Sequence, residues 1–190
     1  MLSELLASFR IAAASIALCV VLYGAAVLGA AALIAPESRA GSLITLDGRV
    51  AGSRLLAQAF TRPEYLWPRP SAVEYAADAA GGSNLSPAGP ILRDRAAGRL
   101  VSLGATPDHP APPEMALASG SGLDPHITDA ASLYQAARIA GARRAPVADI
   151  SELLRQSARP VGPGDPARIV NVLLVNIELD RRFPMPAGGQ

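Results

Sequence analysis

Residues 11–35 read IAAASIALCV VLYGAAVLGA AALIA, from Ile11 to Ala35, without a single charged side chain. At ~1.5 Å of rise per residue a helix of that length reaches about 37 Å, enough to cross a ~30 Å hydrocarbon layer with some tilt. Arg10 stands at its entrance, and Pro36 with Glu37 closes it. The run predicts a transmembrane helix over residues 11–35, with residues 1–10 as a short cytoplasmic tail. Gly24, Gly29 and the many alanines leave one side of the helix smooth, the property that lets membrane helices approach closely, so Gly24 and Gly29 are candidate partner-binding residues. A cleaved signal peptide is the alternative, because Ala30-Ala31-Ala32 has the look of a cleavage site. A signal core, however, is usually about 7–15 residues, shorter than this run. Arg10 and the amino terminus compete with Arg39, Arg49 and Arg54, so charge alone does not orient the span. The short leading tail and long following domain favour the amino terminus inside.

Working outward, 190 residues leave room for one further domain, residues 36–190, expected on the outer side of the membrane. Half the residues are hydrophobic but only 4% are aromatic, so the core must be built from Ala, Leu, Val and Ile. Seventeen basic residues, all Arg, face sixteen acidic ones, for a net charge of +1. That balance gives no electrostatic case for nucleic acid, which normally demands a basic face. Cys19 is the single cysteine, so an internal disulfide is excluded.

Leu43-Ile44-Thr45-Leu46 followed by Asp47-Gly48 predicts a hairpin, since Asp-Gly favours tight turns. Ser53 to Phe60, with Leu55, Leu56 and Phe60 at helical spacing, reads as a short helix. Pro63, Pro68, Pro70, Gly81, Gly82, Pro87, Gly89 and Pro90 then forbid long regular elements, while Tyr65, Trp67 and Tyr75 argue that the stretch is ordered. Helices are expected over Ile91–Leu103, over Ala130–Arg144 with Thr128 or Asp129 as N-cap, and over Val147–Ser157. The dense apolar run Ile169–Leu179 predicts a buried central strand. The fold class is α+β (mixed α/β), a soluble domain anchored by one N-terminal transmembrane helix.

Few residues carry chemistry. Ala80-Gly81-Gly82-Ser83-Asn84 could form a nest of backbone N–H groups but lacks the Lys of a P-loop and the spacing of a dinucleotide fingerprint, and a tight turn capped by Ser83 or Asn84 explains it better. Ser121, Asp124 and His126 invite comparison with a nucleophilic triad, yet residues so close in sequence seldom reach triad geometry, and Gly120-Ser121-Gly122 is not a nucleophile elbow. His109 and His126 stand in no metal-ligand spacing, so no metal is expected. Arg69, between Pro68 and Pro70, is held stiffly and suits an acidic partner, inside the domain or outside it. Asn171 and Asn176 interrupt the last apolar run and are expected to satisfy loop backbone.

In order and spacing the segments resemble the KdpC subunits of Kdp-type potassium-transporting P-type ATPases. The resemblance is carried by Gly52–Phe60, Tyr65–Ser71, Gly81-Gly82-Ser83-Asn84-Leu85, Ser119–Ile127, Tyr134-Gln135 with Arg138-Ile139-Ala140 and Arg143, and Val170–Leu173. It implies a non-catalytic subunit in the cytoplasmic membrane. Its partners would be a channel-like potassium-binding subunit and an ATP-hydrolysing P-type subunit, and those subunits would handle ATP and potassium, no cofactor being held here. It further implies a catalytic chaperone that raises ATP affinity in the pump. The positions to which a nucleotide contact would fall are Gln135, Ser119, Gly120, Ser121 and Gly122, with Arg69 and Asn84 as further partner-binding candidates. A domain outside the membrane would influence cytoplasmic ATP only indirectly, through the helix. A membrane-anchored periplasmic hydrolase and a periplasmic binding module are the alternatives.

Overall fold

A computed structural model describes residues 1–185 as two compact units, Met1–Leu43 and the chain from Ile44 onward. In the first unit a continuous helix of 33 residues, Leu2–Ile34, is long and apolar enough to cross a membrane, and none of it is buried. It comprises α1 (Leu2–Ser15), a π-wound stretch over Ile16–Leu22, and α2 (Tyr23–Ile34). The residues expected as a tail are therefore helical from Leu2, and the whole helix measures roughly 50 Å. It ends at Ala35, whose φ of −144° is non-helical, because a residue preceding proline is pushed out of the α region. Pro36 then opens the single turn α3 (Pro36–Arg39) at a position where its missing N–H costs nothing.

The expected hairpin, β1 (Leu43–Leu46) and β2 (Arg49–Ser53), starts at the boundary between the units. Asp47 and Gly48 both have positive φ, 49° and 76°, as the twist-matched two-residue turn demands. After a long irregular stretch comes α4 (Pro90–Ser102). A second sheet has the order β3-β5-β4, all antiparallel: β3 (His126–Thr128), β5 (Arg168–Asn171) and the edge strand β4 (Arg159–Pro160). Ile127 lies opposite Val170, and both are buried. Pro160, which has no N–H to give a ladder, sits where only one neighbour needs it. Helices α5 (Asp129–Tyr134), α6 (Ala136–Arg143), α7 (Val147–Ser157) and α8 (Val172–Arg182) complete the core. Helix α7 buries Ile150, Leu153 and Leu154, spaced i, i+3, i+4, against Ile139, Val170, Val175 and Leu179.

Three expectations are corrected. No helix forms over Ser53–Phe60: the Leu55 N–H turns back to Ser53 Oγ, and the Ala57 N–H crosses to the Leu123 carbonyl. The helix expected over Ala130–Arg144 is two helices, broken at Gln135. Its start is as expected, with Thr128 Oγ1 accepting the Ala131 N–H. The apolar run Ile169–Leu179 is strand only to Asn171, whose side chain accepts the Leu174 N–H and starts α8. Val172, Val175, Asn176 and Leu179 are buried at i, i+3, i+4 and i+7, so the run carries a helical period that its density concealed.

Candidate functional site

The irregular chain between β2 and α4 passes through the core at Leu66, and burial forces its backbone groups to find partners. Two carboxamides supply them. Asn176, from α8, accepts the Leu66 N–H at 2.7 Å and donates to the Leu66 carbonyl at 3.0 Å. Gln135, at the break between α5 and α6, accepts the Trp67 N–H at 2.9 Å and donates to the Trp67 carbonyl at 3.1 Å. Each amide thus stands in for a neighbouring β-strand at one residue. The break in the helix has a local use, since Gln135 Nε2 also reaches the Ala131 carbonyl and Met115 Sδ.

Arginines from α6 collect the carbonyls just upstream. Arg138 donates to Pro63 and Tyr65 carbonyls and to Gln135 Oε1, and its guanidinium lies 3.7 Å from the centre of the Trp67 ring. Burial first, and then the neighbouring charge of Arg99, pull the Arg138 pKa down to about 10, against the opposing pull of Glu64. Arg143, fully buried, donates to the Glu64 and Phe183 carbonyls and pairs with Asp180 at 2.7 Å. Tyr65 closes the ring of contacts by donating to Asp180 Oδ2.

The Ser-Gly segment lies against a different part of the same long stretch. The Ser119 N–H bonds the Pro70 carbonyl, and the Gly81 N–H bonds the Ser121 carbonyl at 2.7 Å. The two loops touch so closely that a Cβ on Gly122, already at φ +69°, would meet Val73 Cγ2 at 2.5 Å and the Gly81 carbonyl at 2.9 Å. Beside this seam is a cavity of about 420 Å³ bordered by Leu55, Ala80, Ser119, Gly120, Ser121 and Asp124. Gln135 does not line it, so the structure groups Ser119, Gly120 and Ser121 and leaves Gln135 in the clamp on Trp67. Gly122 packs in the seam behind the cavity.

Arg69 meets Asp124 at 3.6 Å, within its own domain, and Asp124 lies 3.7 Å from His126 Nδ1. Asp124 Oδ1 accepts the His126 N–H and Ser121 Oγ accepts the Leu123 N–H, so both oxygens serve local turns. Asn84 is exposed with φ 51°. Gly24 and Gly29 face open space, with nothing within 4 Å of a Cβ built on either. Among the described residues no cluster of His, Cys, Asp and Glu could hold a metal ion.

Asn171 and Asn176 do serve loop backbone, Asn171 by donating to the Arg54 carbonyl at 2.8 Å. The clamping roles of Arg138 and Arg143 were not foreseen from the residues alone. Their signal was there, since both are long cations on a helix otherwise made of Ala, Ile and Gly, where little else can reach across to a neighbouring loop.

Comparison with known proteins gives one consistent answer. The family described as KdpC, K+-transporting ATPase, c chain, matches residues 5–181. A potassium-transporting ATPase KdpC subunit of Parvibaculum lavamentivorans is 47% identical over 184 residues, covering 95% of this chain and 97% of that one. Subunits of the same name from Polaromonas naphthalenivorans and a Janthinobacterium species are 45% and 41% identical, over 89% and 87% of this chain and 90% and 91% of theirs. With the long apolar helix and the α+β domain in place, the chain belongs to the KdpC family of potassium-transporting ATPase subunits.

Proposed function

We propose that this chain is a non-catalytic accessory subunit of an ATP-driven potassium uptake complex, held in the cytoplasmic membrane by its helix with residues 36–190 outside. It assembles there with a channel-like potassium-binding subunit and an ATP-hydrolysing P-type subunit. The observation that carries the reading is the 33-residue helix Leu2–Ile34, long and apolar enough to cross a membrane. Lipid can cover such a surface, but Gly24 and Gly29 each leave the backbone open to the close approach of another membrane helix. In this reading the subunit acts as a catalytic chaperone, raising the ATP affinity of the pump through the membrane helix. A nucleotide contact of Ser119, Gly120, Ser121, Gly122 or Gln135 is the weaker form of the idea, since the Gln135 amide is already spent on Trp67, Ala131 and Arg138.

The test is affinity purification of the tagged chain from gently solubilised membranes. Two large polytopic proteins should accompany it, and potassium-stimulated ATP hydrolysis should fall when the chain is removed. A Gly24→Leu, Gly29→Leu double variant should recover several-fold less of both partners. Recovery of the wild-type chain alone, with hydrolysis indifferent to its presence, would sink the proposal.

A further inference from the structure

Trp67 is the protein's only tryptophan, and two arginines from separate elements reach its ring. Arg138 of α6 stacks at 3.7 Å from the ring centre, and Arg99 of α4 stands at 5.5 Å. Two like charges on one indole repel, and proteins normally quench that repulsion with a carboxylate. None does so here: among the described residues neither Arg99 nor Arg138 is ion-paired. Glu64, the carboxylate whose charge reaches Arg138, is held by Arg62 at 2.5 Å.

The two arginines differ in what they have left to give. Arg138 spends both terminal nitrogens on the carbonyls of Pro63 and Tyr65 and on Gln135 Oε1. Arg99 uses only Nε, in a long 3.4 Å bond to the Met115 carbonyl, so its terminal nitrogens have no hydrogen-bond partner among the described residues. One turn earlier on α4, at i−4, Arg95 is exposed, and Arg93 adds a third cation to a helix with one aspartate, Asp94. Helix α4 buries no residue, so its outer surface is open to another molecule.

We propose that Arg99 and Arg95, backed by the Trp67–Arg138 stack, form a docking surface for an acidic segment of another subunit of the complex, bound by carboxylates. A guanidinium fork matches a carboxylate in two parallel hydrogen bonds, and such an anion would relieve the repulsion between Arg99 and Arg138. A protein segment fits better than an anionic bilayer. Asp94 occupies the exposed side of α4 between Ile91 and Val101, where a membrane would need a continuous apolar or basic face. The proposal rests on the assembly reading above for the identity of the partner, and on this chain alone for the site.

Trp67 reports the site directly. Hexaglutamate peptide titrated into the full-length chain in detergent at low salt should change its tryptophan emission saturably, while hexalysine does nothing. Affinity should fall at least about tenfold for Arg99→Glu, which reverses the charge, and only about twofold for Arg99→Lys. An Arg95→Glu variant, altered at an exposed position, guards against loss of fold and should weaken the peptide several-fold. No emission change with hexaglutamate, an unchanged affinity in both charge reversals, or a response confined to phosphatidylglycerol vesicles would each overturn the proposal. In membranes, wild type should bring both large subunits and Arg99→Glu fewer. Equal recovery by the two chains removes this surface and leaves the assembly reading standing. No recovery by wild type removes that reading, while the peptide titration still decides the site.

Discussion

The apolar helix Leu2–Ile34 and the irregular chain of residues 54–89 are of similar length and meet the same demand in opposite ways. Inside lipid or protein every backbone N–H and C=O must be paired. The helix pairs its own, turn upon turn, and needs nothing from the rest of the molecule except a coat for its side chains. The long loop closes only scattered turns of its own, such as the Tyr65 N–H on the Arg62 carbonyl, and where it is buried it borrows amides and guanidiniums from Gln135, Asn176, Arg138 and Arg143. Self-sufficient structure tolerates change locally and depends on its surroundings as a whole. Borrowed structure depends on a few named atoms.

The sharpest way to break that contrast is to remove a lender. In Asn176→Leu the Leu66 N–H and carbonyl lose the partners they have among the described residues, in a site with no exposure, each orphaned group costing about 1–3 kcal/mol. The domain should lose roughly 4 kcal/mol, read as a lowered urea midpoint of Trp67 emission in the full-length chain. A loss under about 1 kcal/mol would mean that the loop is held by packing and the amides are incidental.

A smaller effect, placed elsewhere, is expected when the helix is altered. Val20→Arg puts a charge near the middle of the apolar run, costing about 3 kcal/mol of membrane insertion. Alkaline carbonate should therefore extract more of the variant from membranes. The urea midpoint at Trp67 should not move, because the groups that pair the loop, Gln135, Asn176, Arg138 and Arg143, all belong to the domain itself. A matching fall in the midpoint would show that the two regions are not independent in the way their bonding implies.

The same division explains what could be read from the residues. The apolar run, the Asp47-Gly48 turn, the Thr128 cap and helices α4 and α7 are set by neighbours within a few positions, and each was legible. The stretch Ile169–Leu179 misled because Asn171 is at once the last strand residue and the cap of α8, a change of period that density of Val and Leu hides. The break at Gln135 was invisible for another reason: it is fixed by Trp67, sixty-eight positions away. The candidate site lies at that range throughout. That Asn176 would serve a loop was legible, but that the loop would be Leu66 was not.

The mildest perturbation is of pH, and in the loop it acts on two phenols. Tyr65 and Tyr75 both fasten the stretch by their hydroxyls, Tyr65 to Asp180 and Tyr75 to the Arg69 carbonyl at 2.9 Å. Burial raises the pKa of each above the ordinary phenol value; at Tyr65 the Asp180 carboxylate adds to the rise, and nearby arginines oppose it at both. A raised folded pKa means that the neutral phenol is the form the fold prefers. Its contribution is complete below the unfolded value of about 10 and drains away as pH climbs through the higher folded value, the unfolded chain ionising first. The urea midpoint at Trp67 should accordingly decline as pH rises above about 10. Tyr65→Phe with Tyr75→Phe should start lower and decline less over the same range. An equal slope in the two proteins would assign the alkaline loss to other groups, and leave these phenols as fasteners whose ionisation the fold does not feel.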